Sequence, residues 1–214
     1  MNDKILLVGG GGHCKSVLDS LLIREQYSEI GIIDLKENIG KDILSVKIIG
    51  SDDDLKRLYY YGYHYAFVSL GSVGNPLKRV ELFDLLQRIG FRIPNIIDPS
   101  AVISRNVTLE NGIYIGKNAV INVGTSIKKG SIINTSSTLE HDCCIDKFVH
   151  VAPGAVLCGN VYVGENTHIG ARSVVKQMVN IGNDTMIGMG SVVLKNIGNG
   201  ITAYGNPCKE VDLI

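Results

Sequence analysis

From Ile97 to Val193 an aliphatic residue returns at every sixth position. The series runs Ile97, Ile103, Leu109, Ile115, Ile121, Ile127, Ile133, Leu139, Ile145, Val151, Leu157, Val163, Ile169, Val175, Ile181, Ile187 and Val193, seventeen positions without a break. A period of six belongs neither to a helix nor to a simple strand, so the repeating unit is a short strand plus a turn. The residue after the aliphatic is often glycine (116, 164, 170, 182, 188), which suits a corner with positive φ or close backbone approach. Two residues before the aliphatic the side chain is small, as at Ala119, Thr125, Ser131, Ser137, Cys143, Ala155 and Ser173. Inward aliphatics and small corner residues predict a triangular solenoid with three hexads to a coil. Strands of successive coils would pair about 4.8 Å apart, giving a prism roughly 27 Å tall.

The first 95 residues read differently. KILLVG (4–9) is a short apolar strand, followed by the glycine cluster 9–12 and by HCKSVLDSLLIRE, whose Val17, Leu18, Leu21 and Leu22 have helical spacing. EIGIID (29–34) predicts a second strand, 52–60 a helix, YAFVSLG (65–71) a third strand, and 76–89 a third helix with Pro76 at its start. The result is a small α/β domain, βαβαβα, over 1–95, joined to a parallel β-helix over 96–214. Glycines opening a helix leave N–H groups free for an anion. Asp34 lies near where an acid meets a ribose hydroxyl in dinucleotide folds. Cys14 occupies the third glycine position of that fingerprint, and three strands are half a dinucleotide fold. A mononucleotide or nucleotide-sugar therefore suits the domain better than NAD.

Charge narrows the partners. The 21 basic residues balance 21 acidic ones, which gives no reason to expect a nucleic-acid or anionic-membrane surface. No apolar run is long enough for a membrane span, and the apolar stretch at the N-terminus is too short for a signal peptide. Five cysteines without framework spacing point to reduced thiols and a cytoplasmic protein. The histidines and cysteines have no metal-ligand spacing, so no metal is expected.

The stretch IINTSSTLEHDCC (132–144) interrupts the pattern with polar side chains. His141 is the second residue after Leu139 and so lies on the prism surface. One coil further on is Gly159, about 5 Å away across the strand spacing. His150 is half a coil onward, on a different face. A straight prism has no concavity, but prisms packed around a threefold axis form grooves in which a histidine of one chain faces a different histidine of another.

The GGGGH start, NTSSTLEHD, FVHVAPGAVLCGNVYVG and the ending AYGNPCK together resemble the bacterial nucleotide-aminosugar N-acetyltransferases. These share their architecture with sialic acid O-acetyltransferases. The resemblance covers nearly the whole chain and implies a left-handed parallel β-helix, a homotrimer and acetyl-CoA as co-substrate. It implies that His141 is the general base and that Asp142 holds its imidazole. It also implies that Gly159 offers its N–H to the thioester carbonyl and that His150 touches acetyl-CoA. Asn134 matches a residue near the sugar amine, and Gly11, Gly12, His13 and Asp34 match the nucleotide-sugar pocket. Two departures stand out: Cys14 replaces a Gly or Ala, and GNPCK replaces GNPAK.

The chemistry agrees with that assignment. Acyl transfer from a thioester needs a base for the nucleophile's proton and a donor for the developing oxyanion; positioned proton transfer alone is worth roughly 10²–10⁴-fold. Glu140 could orient the imidazole instead of Asp142. The expected reaction is acetyl-CoA-dependent N-acetylation of a nucleotide-linked 4-amino-4,6-dideoxy sugar, with O-acetylation of sialic acid or another sugar as the alternative.

Overall fold

The computed structural model describes residues 3–211. Its first part is a five-stranded sheet with helices on both sides. The elements are β1 (Lys4–Val8), α1 (Gly12–Arg24), β2 (Glu29–Ile33), β3 (Asp42–Ile43), β4 (Val46–Gly50), α2 (Leu55–Tyr60), β5 (Tyr63–Val68) and α3 (Leu77–Ile89). The sheet order is β3-β4-β2-β1-β5. All its pairings are parallel except β3 with β4.

Two differences from the sequence expectation have physical causes. The β3–β4 hairpin leaves no signature in the chain, because its turn carries none of the glycine or asparagine that a two-residue hairpin usually shows. Leu44 and Ser45 instead take positive φ, 45° and 68°. The strand expected from residue 65, β5, also begins earlier, at Tyr63. Tyr63 packs into the core and its hydroxyl donates to Glu29 at 2.6 Å.

From Ile96 onward the chain forms a left-handed parallel β-helix. Each coil is 18 residues, as the pairings Ile115 with Ile133 and Ile133 with Val151 record. The first face stacks six strands, from Val102–Ile103 to Val192–Val193. The second stacks five, from Thr108–Leu109 to Asn180–Ile181. The third stacks eight, beginning at Ile96–Ile97 and ending in the antiparallel pair Thr202–Tyr204 and Lys209–Val211.

The hexad aliphatics from Ile115 to Val193 are the solenoid core, each at most 1% exposed. Burying one stabilises the fold by roughly 1.5–3 kcal/mol. The small residues behind them have a second use. The hydroxyls of Thr125, Ser131 and Ser173 donate to the carbonyls of Glu140, Asp146 and Gly188 in the next coil, at 2.9–3.0 Å. A buried hydroxyl at the corner is thereby satisfied.

The corners separate the two roles proposed for glycine. Those directly after the aliphatic serve close approach: a Cβ on Gly116 would lie 2.9 Å from the Thr135 nitrogen. Positive φ falls two residues later, at 118, 124, 130, 136, 142, 148, 154, 160, 166, 172, 178, 184 and 190. Most of these positions are not glycine.

The α/β unit docks on the third face. Ile96, Tyr114 and Ile132, which point outward there, join Ile5, Leu7, Val17, Leu18 and Phe67 in one apolar cluster. Phe148 joins Phe83 and Ile93 in another. Among the described residues no helix is long and apolar enough to cross a membrane.

Candidate active site

The catalytic candidates fall into three places. His141 and Asp142 occupy the corner between the first and second faces. Asp142 has φ 60° there, and its Oδ2 lies 2.9 Å from His141 Nδ1. The carboxylate accepts, so Nδ1 carries the hydrogen and Nε2 presents its lone pair outward. Glu140 is occupied otherwise, its Oε2 accepting from Asn122 Nδ2 at 3.0 Å. The pair is bracketed by glycines: a Cβ on Gly124 would overlap the Asp142 carboxylate, and one on Gly159 would overlap the His141 ring. Among the described residues no backbone acceptor takes the Gly159 N–H. That donor therefore lies free beside the imidazole. The His141 side chain is 59% exposed.

The second place is a cavity of about 450 Å³ between the α/β unit and the solenoid, lined by Gly12, His13, Ser72, Asn134 and His150 among others. His150 Nδ1 donates to the Ser72 carbonyl at 2.7 Å, and Nε2 accepts from Asn134 Nδ2 at 3.2 Å. The Asn134 side-chain Oδ1 takes the Thr135 N–H at 2.8 Å. Burial, reinforced by His168 stacked edge-on at 4.8 Å, pushes His150 down to about 3. Burial and the Arg79 charge lower His13 to about 4. His13 packs edge-on against Tyr114 at 5.0 Å, and its buried Nε2 has no hydrogen-bond partner among the described residues. Both rings are neutral at ordinary pH and carry no charge into the cavity.

The third place is a cavity of about 540 Å³ at the carboxyl ends of β1 and β2, lined by Gly9, Asp34, Leu35, Ser51, Asp53 and Leu70 among others. This is where ligands sit in open α/β sheets. Asp34 Oδ1 accepts the Leu35 N–H at 2.8 Å, and a Cβ on Gly10 would collide with Oδ2. Gly11 caps α1 with open space around it.

Of the residues singled out in the sequence, Gly12, His13, Asn134 and His150 therefore meet in one cavity. His141, Asp142 and Gly159 meet on an exposed corner, while Asp34 lines a separate cavity. No group of three or more acidic, His or Cys side chains is placed to hold a metal among the described residues. Sequence reasoning missed Ser72 and Arg79. The signal for Arg79 was present: it stands with Leu82, Phe83 and Leu86 on the buried stripe of α3, where a charge is out of place.

Two family models match parts of the chain. Residues 4–86 match the family model of the PglD N-terminal domain, and residues 160–195 match that of the hexapeptide repeat of succinyl-transferase. The chain is 32% identical to a histidine-to-asparagine mutant of perosamine N-acetyltransferase from Caulobacter crescentus, solved in complex with CoA and GDP-perosamine. That match has a TM-score of 0.92 and covers 98% of this chain and 97% of the other. The acetyltransferase domain of PglB from Neisseria gonorrhoeae, in complex with acetyl coenzyme A, is also 32% identical, with a TM-score of 0.92 over 99% and 100% of the two chains. WeeI from Acinetobacter baumannii shares the fold at 24% identity and a TM-score of 0.80, over 98% and 100% of the chains.

Proposed function

Because the chain belongs to the hexapeptide-repeat sugar acetyltransferases, we propose that it transfers the acetyl group of acetyl-CoA to the amine of a nucleotide-linked 4-amino-4,6-dideoxy sugar. The observation that carries this reading is the trio Asp142, His141 and Gly159: a carboxylate on Nδ1, a free Nε2, and an unpaired backbone N–H alongside. The neutral amine attacks the thioester carbonyl while His141 Nε2 takes its proton. Asp142 stabilises the imidazolium, and the Gly159 N–H stabilises the oxyanion. Collapse of the tetrahedral intermediate breaks the C–S bond, and the proton held by His141 passes to the departing thiolate.

The base stands on an exposed corner, while the cavity with His13, Asn134 and His150 lies on another face. We place the two together by assembly of a homotrimer. The first face supports this. Its outward side chains are Val102, Val120, Thr138, Val156, Val174 and Val192, an almost wholly apolar ladder, and Val102 is 62% exposed. A neighbouring copy on that ladder would bring its own cavity toward His141. In this reading the nucleotide lies near Asp34, its phosphates pass over Gly11 and Gly12, and the sugar reaches Asn134.

His141→Ala tests the reading. Acetyl transfer should be lost while the oligomer, measured by light scattering, is unchanged; an active mutant refutes the base. Offering both a nucleotide-linked aminosugar and free sialic acid separates N- from O-acetylation. Val156→Arg should convert trimers to monomers, and a variant that remains trimeric removes the first face as the interface.

A further inference from the structure

Arg79, at the start of the buried stripe of α3, is 3% exposed. Among the described residues it forms no ion pair. Burial lowers it to about 10, so it still carries its charge at neutral pH. A buried guanidinium without a carboxylate is costly unless its donors are taken up. Here both terminal nitrogens are engaged: Nη1 donates to Ser72 Oγ at 2.9 Å, and Nη2 donates to the carbonyls of Gly130 and Phe148. Gly130 and Phe148 hold equivalent corner positions one coil apart, and Ser72 lies on the loop from β5 to α3. One side chain thus ties that loop to two coils of the solenoid.

The loop in turn touches the cavity. The Ser72 carbonyl takes the His150 Nδ1 hydrogen at 2.7 Å. A carbonyl only accepts, so this contact fixes the ring in its Nδ1–H form and leaves the Nε2 lone pair facing Asn134 Nδ2 at 3.2 Å. Which nitrogen of the cavity imidazole bears hydrogen therefore depends on where the loop holds Ser72.

We propose that Arg79 is a positioning residue: acting through Ser72, it sets the tautomer of His150 and so makes Nε2 a hydrogen-bond acceptor in the cavity wall. Lysine would not serve, because a single ammonium lacks the planar fork that reaches a hydroxyl and two carbonyls at once. Only the kinetic readout rests on the acetyl-transfer reading; the tautomer is visible without substrate.

The experiment compares the full chain with Arg79→Met and Ser72→Ala by long-range ¹H–¹⁵N spectroscopy of labelled imidazoles, with the His150 signals assigned by their loss in His150→Gln. The wild type should show hydrogen on Nδ1 and a bare Nε2. Arg79→Met should give a mixture of tautomers and lower kcat/KM about 10- to 100-fold, the size of effect seen when the partner orienting a metal-bound imidazole is removed. Ser72→Ala, which deletes one hydroxyl from a loop and spares the fold, should move both readouts the same way by less. An unchanged tautomer in both variants overturns the proposal. So does lost activity that tracks only lost folded protein while the tautomer persists, since Arg79 is then a staple between the two units. A tautomer that shifts in a protein without acetyl-transfer activity upholds the positioning and removes the functional reading instead.

Discussion

His141 and His150 stand half a coil apart on the same solenoid, and their surroundings are opposite. His141 lies at an exposed corner with a carboxylate on Nδ1. His150 is 9% exposed, has a carbonyl on Nδ1 and another histidine edge-on beside it, and forms no ion pair among the described residues. Both rings hold hydrogen on Nδ1 and a lone pair on Nε2. They part ways when a proton arrives at Nε2. At His141 a carboxylate lies on the far nitrogen and the side chain is open to solvent. At His150 burial and the neighbouring imidazole oppose the resulting charge. In the proposed reaction one ring accepts a proton; the other accepts a hydrogen bond and remains neutral. The same side chain is fitted for different chemistry because the partner of its far nitrogen and its access to water differ.

The largest effect expected from this contrast is on turnover. His141→Ala should lower kcat roughly 10²–10⁴-fold, whereas His150→Gln, which keeps hydrogen-bonding capacity, should act mainly on KM. Equal losses of kcat in both would break the comparison. Asp142→Asn is next. It leaves the shape intact but can donate to Nδ1, which favours the tautomer with hydrogen on Nε2, so kcat should fall by up to about 10⁴-fold. An unaffected enzyme would mean that Asp142 is only a corner residue.

The smallest effect is on stability against pH. Unfolded imidazoles gain protons below 6.5, while folded His13 and His150 resist until about 4 and 3. The unfolded state thus binds more protons in that window, and stability falls as pH drops from 6.5 toward 4. The loss is at most about 1.4 kcal/mol per pH unit for each histidine. Thermal unfolding of the wild type and His150→Gln across that range checks it. A slope unchanged by the substitution would show that His150 is not kept neutral by the fold.

Much of the exposed corner could be read from the chain, because its parts are local or one repeat apart. His141 and Asp142 are neighbours in sequence, and Gly159 comes one 18-residue coil after His141. The period thus sets their proximity without knowledge of the rest of the molecule. Sequence left the choice between Glu140 and Asp142 open. In the structure Asn122, one coil below, engages Glu140, while the Asp142 carboxylate lies against the ring. The β3–β4 hairpin is illegible because Leu44 and Ser45 carry no composition signal for the backbone conformation they adopt.

By itself the sequence determined the β-helix, because a period of six assigns every residue to a face or the core regardless of what lies outside. It also set His141 between two acids, Glu140 and Asp142, because the three are adjacent, without choosing between them. Tertiary structure alone decided the cavity. His13, Ser72, Arg79, Asn134 and His150 meet only when the α/β unit docks on the third face, burying Ile96, Tyr114 and Ile132. That docking turns a helical arginine into a buried clamp and a surface histidine into a neutral one. No spacing along the chain encodes it, because desolvation and hydrogen-bond partners arise from contacts between residues that repeat periodicity does not relate.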